Sequence, residues 1–214
     1  MTPEREARIR QVVACRQLDL TLILENVHDP HNIGAVLRTA DAVGLREVFV
    51  LYTEPHLQSR RLQLGSKTAS GALPWIDVHY YTDLEACFST VKKSGRKIWS
   101  TGLGRRSKSL YELDLTAPIA LLFGNEHEGV SEEASARADG HFIIPQSGMV
   151  QSLNISVACA VTLYEAFRQR QASGRYEQDP DHLPPERQAM LQDYFQRHET
   201  KYRGGSYPPR DKTG

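Results

Sequence analysis

Apolar residues recur along this chain in two rhythms. "LDLTLILENV", "EVFVLY", "WIDVHYY", "KIWSTG", "PIALLFG" and "HFIIP" are short runs rich in branched and aromatic residues, and each predicts a strand, the first over about Leu20 to Val27. Between them the period lengthens. "NIGAVLRTADAVG" places Ile33, Val36, Leu37, Ala40 and Val43 at helical spacing, with Asn32 as the N-cap and Gly44 as the stop. "LEACFSTVKKSG" predicts a helix closed by Gly95, and "SEEASARA" a short one capped by Ser131 with Glu132 and Glu133 in its favourable first turn. Arg5 to Arg16 predicts an N-terminal helix. From Ser152 onward, Leu153, Val157, Ala160, Val161, Tyr164 and Phe167 line one stripe of another.

Near-continuous apolar strands alternating with helices imply an α/β fold, a parallel sheet covered by helices on both faces. The pattern divides the chain into a helical extension over 1–19, a main domain over 20–174 and a C-terminal part over 175–214. This last part opens with the Pro-rich, polar "RYEQDPDHLPPE", continues in an amphipathic helix from about Pro185 to Tyr202 and ends in a Gly/Pro-rich tail. No internal repeat is present.

Composition narrows the function. With 214 residues and 40% hydrophobic content the chain can bury one good core. No apolar run approaches a membrane span and the first residues are charged, so neither membrane nor secretion signal is expected and the location implied is cytoplasmic. Cys15, Cys87 and Cys159 are an odd number, expected as free buried thiols. His28 and His31 form the only tight histidine pair, without a cysteine nearby, and no metal is expected. The 26 basic and 26 acidic residues cancel, yet from Pro55 to Tyr111 ten basic residues face three acidic ones. Such a local excess suits a phosphate backbone.

Parallel sheets bind ligands beyond the carboxyl ends of their strands. Three loops fall there: "TGLG", "GNEHEG" and "PQSGMVQSLN". None is a phosphate cradle, since "GLGRRS" lacks the third glycine of a dinucleotide fingerprint and "GNEHEG" has no Lys-Ser/Thr after its glycines. What remains is a glycine-walled pocket rimmed by Leu103, Ile144, Met149 and Leu153, suited to a flat neutral base. Ser152 and Asn154 stand near a helix start, where they either meet a polar ligand or cap the helix. Asn32 and Arg38 lie six positions apart, about 240° around a helix, and Arg38 alone reads as a solvent-facing arginine. Glu126 alone reads as a loop acid.

Together, "ENVHDPHNIGAVLRTADAVG", "LLFGNEHEGVSEEA" and "IIPQSGMVQSLNISVA" resemble the three ordered motifs of the SpoU branch of the SPOUT methyltransferases, over roughly Gln17 to Gln171. Within that branch the chain is most similar to enzymes that methylate a ribose 2′-oxygen in tRNA, at the D-loop guanosine of tRNA position 18. The resemblance implies a C-terminal deep trefoil knot, an exception to the rule against knots, a homodimer, S-adenosyl-L-methionine as cofactor and tRNA as partner. Carried over by position, it implies Arg38, Asn32, Glu126, Ser152 and Asn154 as catalytic residues, with Gly129 in the second motif. Contacts to S-adenosyl-L-methionine fall to Thr101, Gly102, Leu103, Gly124, Ile144, Met149, Ser152 and Leu153. Arg60, Arg61, Lys67, Arg105, Arg106 and Lys108 become the RNA track. A ribosomal-RNA methyltransferase of the same branch and a catalytically silent RNA-binding protein of the same fold are the competing readings.

Overall fold

A computed structural model of the chain describes residues 1–58, 71–102 and 107–202. Seven strands form one sheet: β1 (Leu20–Glu25), β2 (Glu47–Leu51), β3 (Asp77–Tyr81), β4 (Lys97–Thr101), β5 (Lys108–Ser109), β6 (Ile119–Phe123) and β7 (Gly140–Ile143). Their order is β3-β2-β1-β6-β4-β7-β5, and every pairing is parallel. β1 and β6 are buried throughout, which is why their sequences run apolar without alternating. Among the described residues seven α-helices accompany the sheet: α1 (Pro3–Cys15), α2 (Pro30–Ala42), α3 (Pro55–Gln58), α4 (Leu84–Lys93), α5 (Glu132–Arg137), α6 (Ile155–Ala172) and α7 (Pro185–Tyr202). Helices α2 and α6 close one face, packing Ile33, Val36, Leu37, Ile155, Cys159 and Leu163 on Leu22, Leu121 and Phe142. Helix α4 closes the other, with Cys87, Phe88 and Val91 against Ile23, Ile98 and Leu122.

Several predicted elements are corrected. Helix α2 starts at Pro30 with Asp29 as its cap, accepting from the His31 N–H at 2.8 Å, so Asn32 sits inside the first turn. Proline at the first helical position loses no hydrogen bond. The strand expected from Trp75 begins at Asp77, because Leu73–Trp75 forms a 3₁₀ turn. Helix α6 begins at Ile155, and the stripe predicted for it divides: Val157 and Tyr164 face outward, 46% and 55% exposed, while Val161 and Phe167 are half-buried against the core. The buried stripe is Ile155, Cys159, Leu163 and Ala166. Cys87 and Cys159 are buried and Cys15 is half-buried, all three as free thiols. No helix among the described residues is long and apolar enough to cross a membrane.

The first and last helices pack together. Helices α1 and α7 share a separate core of Ile9, Val13, Ala14, Leu183, Met190, Leu191 and Tyr194. Arg187 donates to the carbonyls of Val13, Ala14 and Arg16 at 2.6, 2.9 and 2.9 Å, satisfying acceptors that the end of α1 leaves open.

Candidate active site

Strand β6 lies between β1 and β4, and β7 lies next to β4, so the loops leaving β1, β6, β4 and β7 emerge side by side. Three sequence segments meet there in one hydrogen-bonded chain. The Asn32 amide donates to Glu126 Oε1 at 2.6 Å, and the Asn154 amide donates to Asn32 Oδ1 at 3.2 Å. The His28 N–H approaches the second Glu126 oxygen at 3.5 Å. Asn154 also caps α6, its Oδ1 accepting from the Ser156 N–H at 2.8 Å and from the Ser156 hydroxyl at 2.6 Å. Capping and site-building are therefore one arrangement, and Ser152 lies exposed two residues before the cap.

The loop carrying Glu126 is tightly specified. A Cβ on Gly124 would fall 1.8 Å from the Gly129 carbonyl oxygen, so only glycine admits this approach. Asn125 and Gly129 exchange two backbone bonds of 3.1 Å, and Gly129 takes φ +76°, the left-handed region that glycine enters freely. Asn125 Oδ1 accepts from the N–H groups of His127 and Glu128 at 2.9 and 2.7 Å, closing the turn. At the loop's far end the buried Glu25 carboxylate accepts from the Ser131 N–H at 2.9 Å and the Ser131 hydroxyl at 2.6 Å. Ser131 in turn caps α5. Glu25 was missed in the sequence, although an acid ending the apolar run "LTLILE" is a visible signal.

Thr101 and Gly102 end β4, with Thr101 Oγ1 donating to the Leu122 carbonyl at 3.3 Å and the Gly102 N–H to the Phe142 carbonyl at 3.1 Å. These bonds join the ends of β4, β6 and β7, bringing Thr101, Gly102, Gly124 and Ile144 to one end of the sheet. Ile144 and Leu153 are half-buried apolar walls, and a Cβ on Gly102 would meet nothing within 4 Å. Open space, exposed main chain and apolar walls fit an adenosine-bearing cofactor without a phosphate chain. Met149 is fully exposed and does not wall the pocket in this conformation.

Arg38 is exposed on α2, and among the described residues nothing pairs with its guanidinium. The structure thus joins Asn32, Glu126 and Asn154 directly but leaves Arg38 and Ser152 outside that chain. Lys108 is exposed on β5 with its Nζ 5.6 Å from the centroid of the Trp99 ring. Leu103, Arg60, Arg61, Lys67, Arg105 and Arg106 lie outside the described residues. Burial pushes the Cys87 thiol up to about 12, with Glu25 and Asp83 adding to the effect, and burial also raises Cys159. Neither cysteine is a nucleophile at neutral pH. The sequence pair His28 and His31 does not form a cluster; His28 stands instead with Glu54 and His56.

The sequence profile of the SpoU rRNA methylase family matches residues 19–164. A tRNA (guanosine(18)-2′-O)-methyltransferase of Thermus thermophilus is 43% identical over 197 residues, covering 92% of this chain and 98% of the relative. The enzyme of the same description from Escherichia coli K12 is 41% identical over 191 residues, covering 89% and 81%. Among solved structures, the A. aeolicus TrmH/SpoU tRNA modifying enzyme superposes with a TM-score of 0.80 at 34% identity, covering 92% of this chain and 96% of that one. An AdoMet-bound rRNA methyltransferase from Sinorhizobium meliloti superposes at 0.61 with 28% identity, covering 75% and 59%.

Proposed function

The chain belongs to the SpoU methylase family, and from that premise we propose that it methylates the ribose 2′-oxygen of guanosine 18 in tRNA, the nucleotide for which its relatives are named. The observation that carries this reading is the Asn154–Asn32–Glu126 chain, which ties all three motifs into one constellation. Thr101, Gly102, Gly124, Ile144 and Leu153 hold S-adenosyl-L-methionine, with Ser152 and Leu103 contributing from the same loops and Met149 turning inward only when the cofactor is bound. Bound there, it supplies an electrophilic methyl on sulfur.

A ribose hydroxyl is a weak acid, so the protein's task is to align the 2′-oxygen and stabilise its charge as its proton passes to water, while the bond from oxygen to the methyl carbon would form and that from sulfur would break. Alignment alone contributes up to about 7–11 kcal/mol. A guanidinium is a poor base and a good anchor, and Arg38 takes the anchoring role. It holds the neighbouring phosphate and stabilises the developing oxyanion, and it reaches that position when RNA is bound. Asn32, fixed between Glu126 and Asn154, orients the ribose. Arg60, Arg61, Lys67, Arg105, Arg106 and Lys108 carry the phosphate track.

The chain works as a homodimer in the cytoplasm, with an extension over 1–19, the methyltransferase unit over 20–174 and a C-terminal part over 175–214, whose helix α7 packs on α1. The outward apolar stripe of α6, Val157 and Tyr164, supports the dimer. The insertion of β7 between β4 and β5 supports a knot formed by the segment after β7. Incubation with labelled S-adenosyl-L-methionine and a tRNA pool, followed by mapping of the modified nucleotide, tests the substrate. Label in ribosomal RNA and none in tRNA would replace it. Near-normal turnover by both Arg38→Lys and Arg38→Ala would remove Arg38 from the mechanism.

A further inference from the structure

Beside the methyl-transfer residues, two loops bring metal-ligating side chains together. We propose that His28, Glu54 and His56 bind one divalent transition-metal ion of the zinc class. One ligand atom from each lies within 4.8 Å of the other two. Glu54 Oε2 stands 3.7 Å from His28 Nε2 and 3.6 Å from His56 Nε2. Both distances are too long for hydrogen bonds. They are close to the separation of about 3.3–3.5 Å between ligands sharing a tetrahedral ion, given metal–ligand bonds of about 2.0–2.2 Å. Two imidazoles and one carboxylate select zinc, cobalt, nickel or copper over magnesium and calcium, which prefer oxygen alone.

The scaffold is set without the ion. Asn26, at the end of β1, takes φ 50°, a conformation uncommon outside glycine. Its side chain spans the two loops: Nδ2 donates to Thr53 Oγ1 at 2.8 Å, and Oδ1 accepts from the N–H groups of Thr53 and Glu54 at 2.9 and 3.3 Å. His28 is thereby held two residues from one anchor, and Glu54 beside the other. His56 sits in the single turn of α3, its ring 5.7 Å from that of His28 at an interplanar angle of 78°. An ion here would clamp the loops after β1 and β2 and steady the His28 N–H that approaches Glu126. The site uses none of the residues assigned to methyl transfer, and binding at it is independent of that assignment.

Tag-free protein stripped of metal provides the test. Zinc is titrated by calorimetry and cobalt(II) by its visible absorption, which reports tetrahedral coordination. One equivalent should bind per chain. Because changes to groups behind a ligand already cost about 10–100-fold in affinity, losing a ligand in His28→Gln, Glu54→Gln or His56→Ala should weaken binding by at least about tenfold. The His56 side chain is 62% exposed, so its removal leaves the fold intact, which thermal unfolding checks. His31→Ala should bind as the unaltered protein does. No saturable uptake by the unaltered protein, equal uptake by His56→Ala, or loss in His31→Ala would overturn the proposal.

Discussion

Gly124→Ala is the sharpest perturbation of the site. The added methyl would lie 1.8 Å from the Gly129 oxygen, 1.9 Å from its carbonyl carbon and 2.1 Å from the Val130 nitrogen, all backbone atoms that cannot rotate away. The 125–129 turn must retreat by at least about 1 Å to reach ordinary contact distances. Glu126 rides on that turn, and its 2.6 Å bond to Asn32 would then stretch beyond normal hydrogen-bond length. Misplacement of about 1 Å costs about a hundredfold in rate where alignment carries catalysis. Overpacking adds about 1–3 kcal/mol of destabilisation, a fall of roughly 2–12 °C in Tm for a chain of this size. Single-turnover methyl transfer and a thermal scan on the same preparation separate the two effects. A variant with turnover within about threefold of the unaltered protein and an unchanged Tm would refute the packing argument and the role assigned to this turn.

Asn32→Asp sets a carboxylate against Glu126 where Asn32→Ala only removes a donor, so kcat should fall further in the aspartate variant, by more than the about 0.5–1.5 kcal/mol of one lost hydrogen bond; equal losses would contradict the geometry. Arg170 is fully buried and donates to the Leu115 and Ala117 carbonyls, Gln17 and Asp19. Arg170→Ala should destabilise by about 3–5 kcal/mol in urea unfolding. Glu47 is half-buried, which alone would raise its pKa, but its hydrogen bond to His79 and the nearby Arg96 charge lower it from 4.5 to about 2. A carboxylate depressed in the folded state stabilises above its unfolded pKa, so that contribution should fade from about pH 4.5 down to about pH 2. Glu47→Gln should flatten stability against pH in that window. Lys108→Ala should weaken tRNA binding and reduce the slope of log affinity against log salt by about one.

The sheet was legible because β1 and β6 are covered on both faces, leaving runs of apolar residues that no exposed segment requires. Helix α6 was legible as a helix but not in its orientation. Ile155, Cys159, Leu163 and Ala166 face α2, while Val157 and Tyr164 form a second apolar row outside. With two apolar rows on one helix, periodicity cannot say which is buried, and the choice belongs to the packing partner. At α2 the error was local: Pro30 at the first turn marks Asp29 as the cap, a signal that outweighs the polar Asn32.

The site follows a different logic. Asn32 meets Glu126 across 94 positions and Asn154 across 122, separations that no local pattern encodes. Only the order of the three motifs pointed to their meeting. The buried arginines were invisible for the same reason, since each donates to carbonyls or acids distant in sequence. Arg16 donates to the Leu45 carbonyl at 2.8 Å and to Asp41 at 2.5 Å. Arg187 of α7 binds the Arg16 carbonyl at 2.9 Å. A charge with such partners is expensive to leave half-satisfied, so α7, α1 and the far end of α2 settle together. Asn32 holds the near end of α2 against Glu126. The helix bearing Arg38 is therefore fixed at both ends by contacts outside its own sequence, while the Arg38 side chain itself is exposed and pairs with nothing among the described residues.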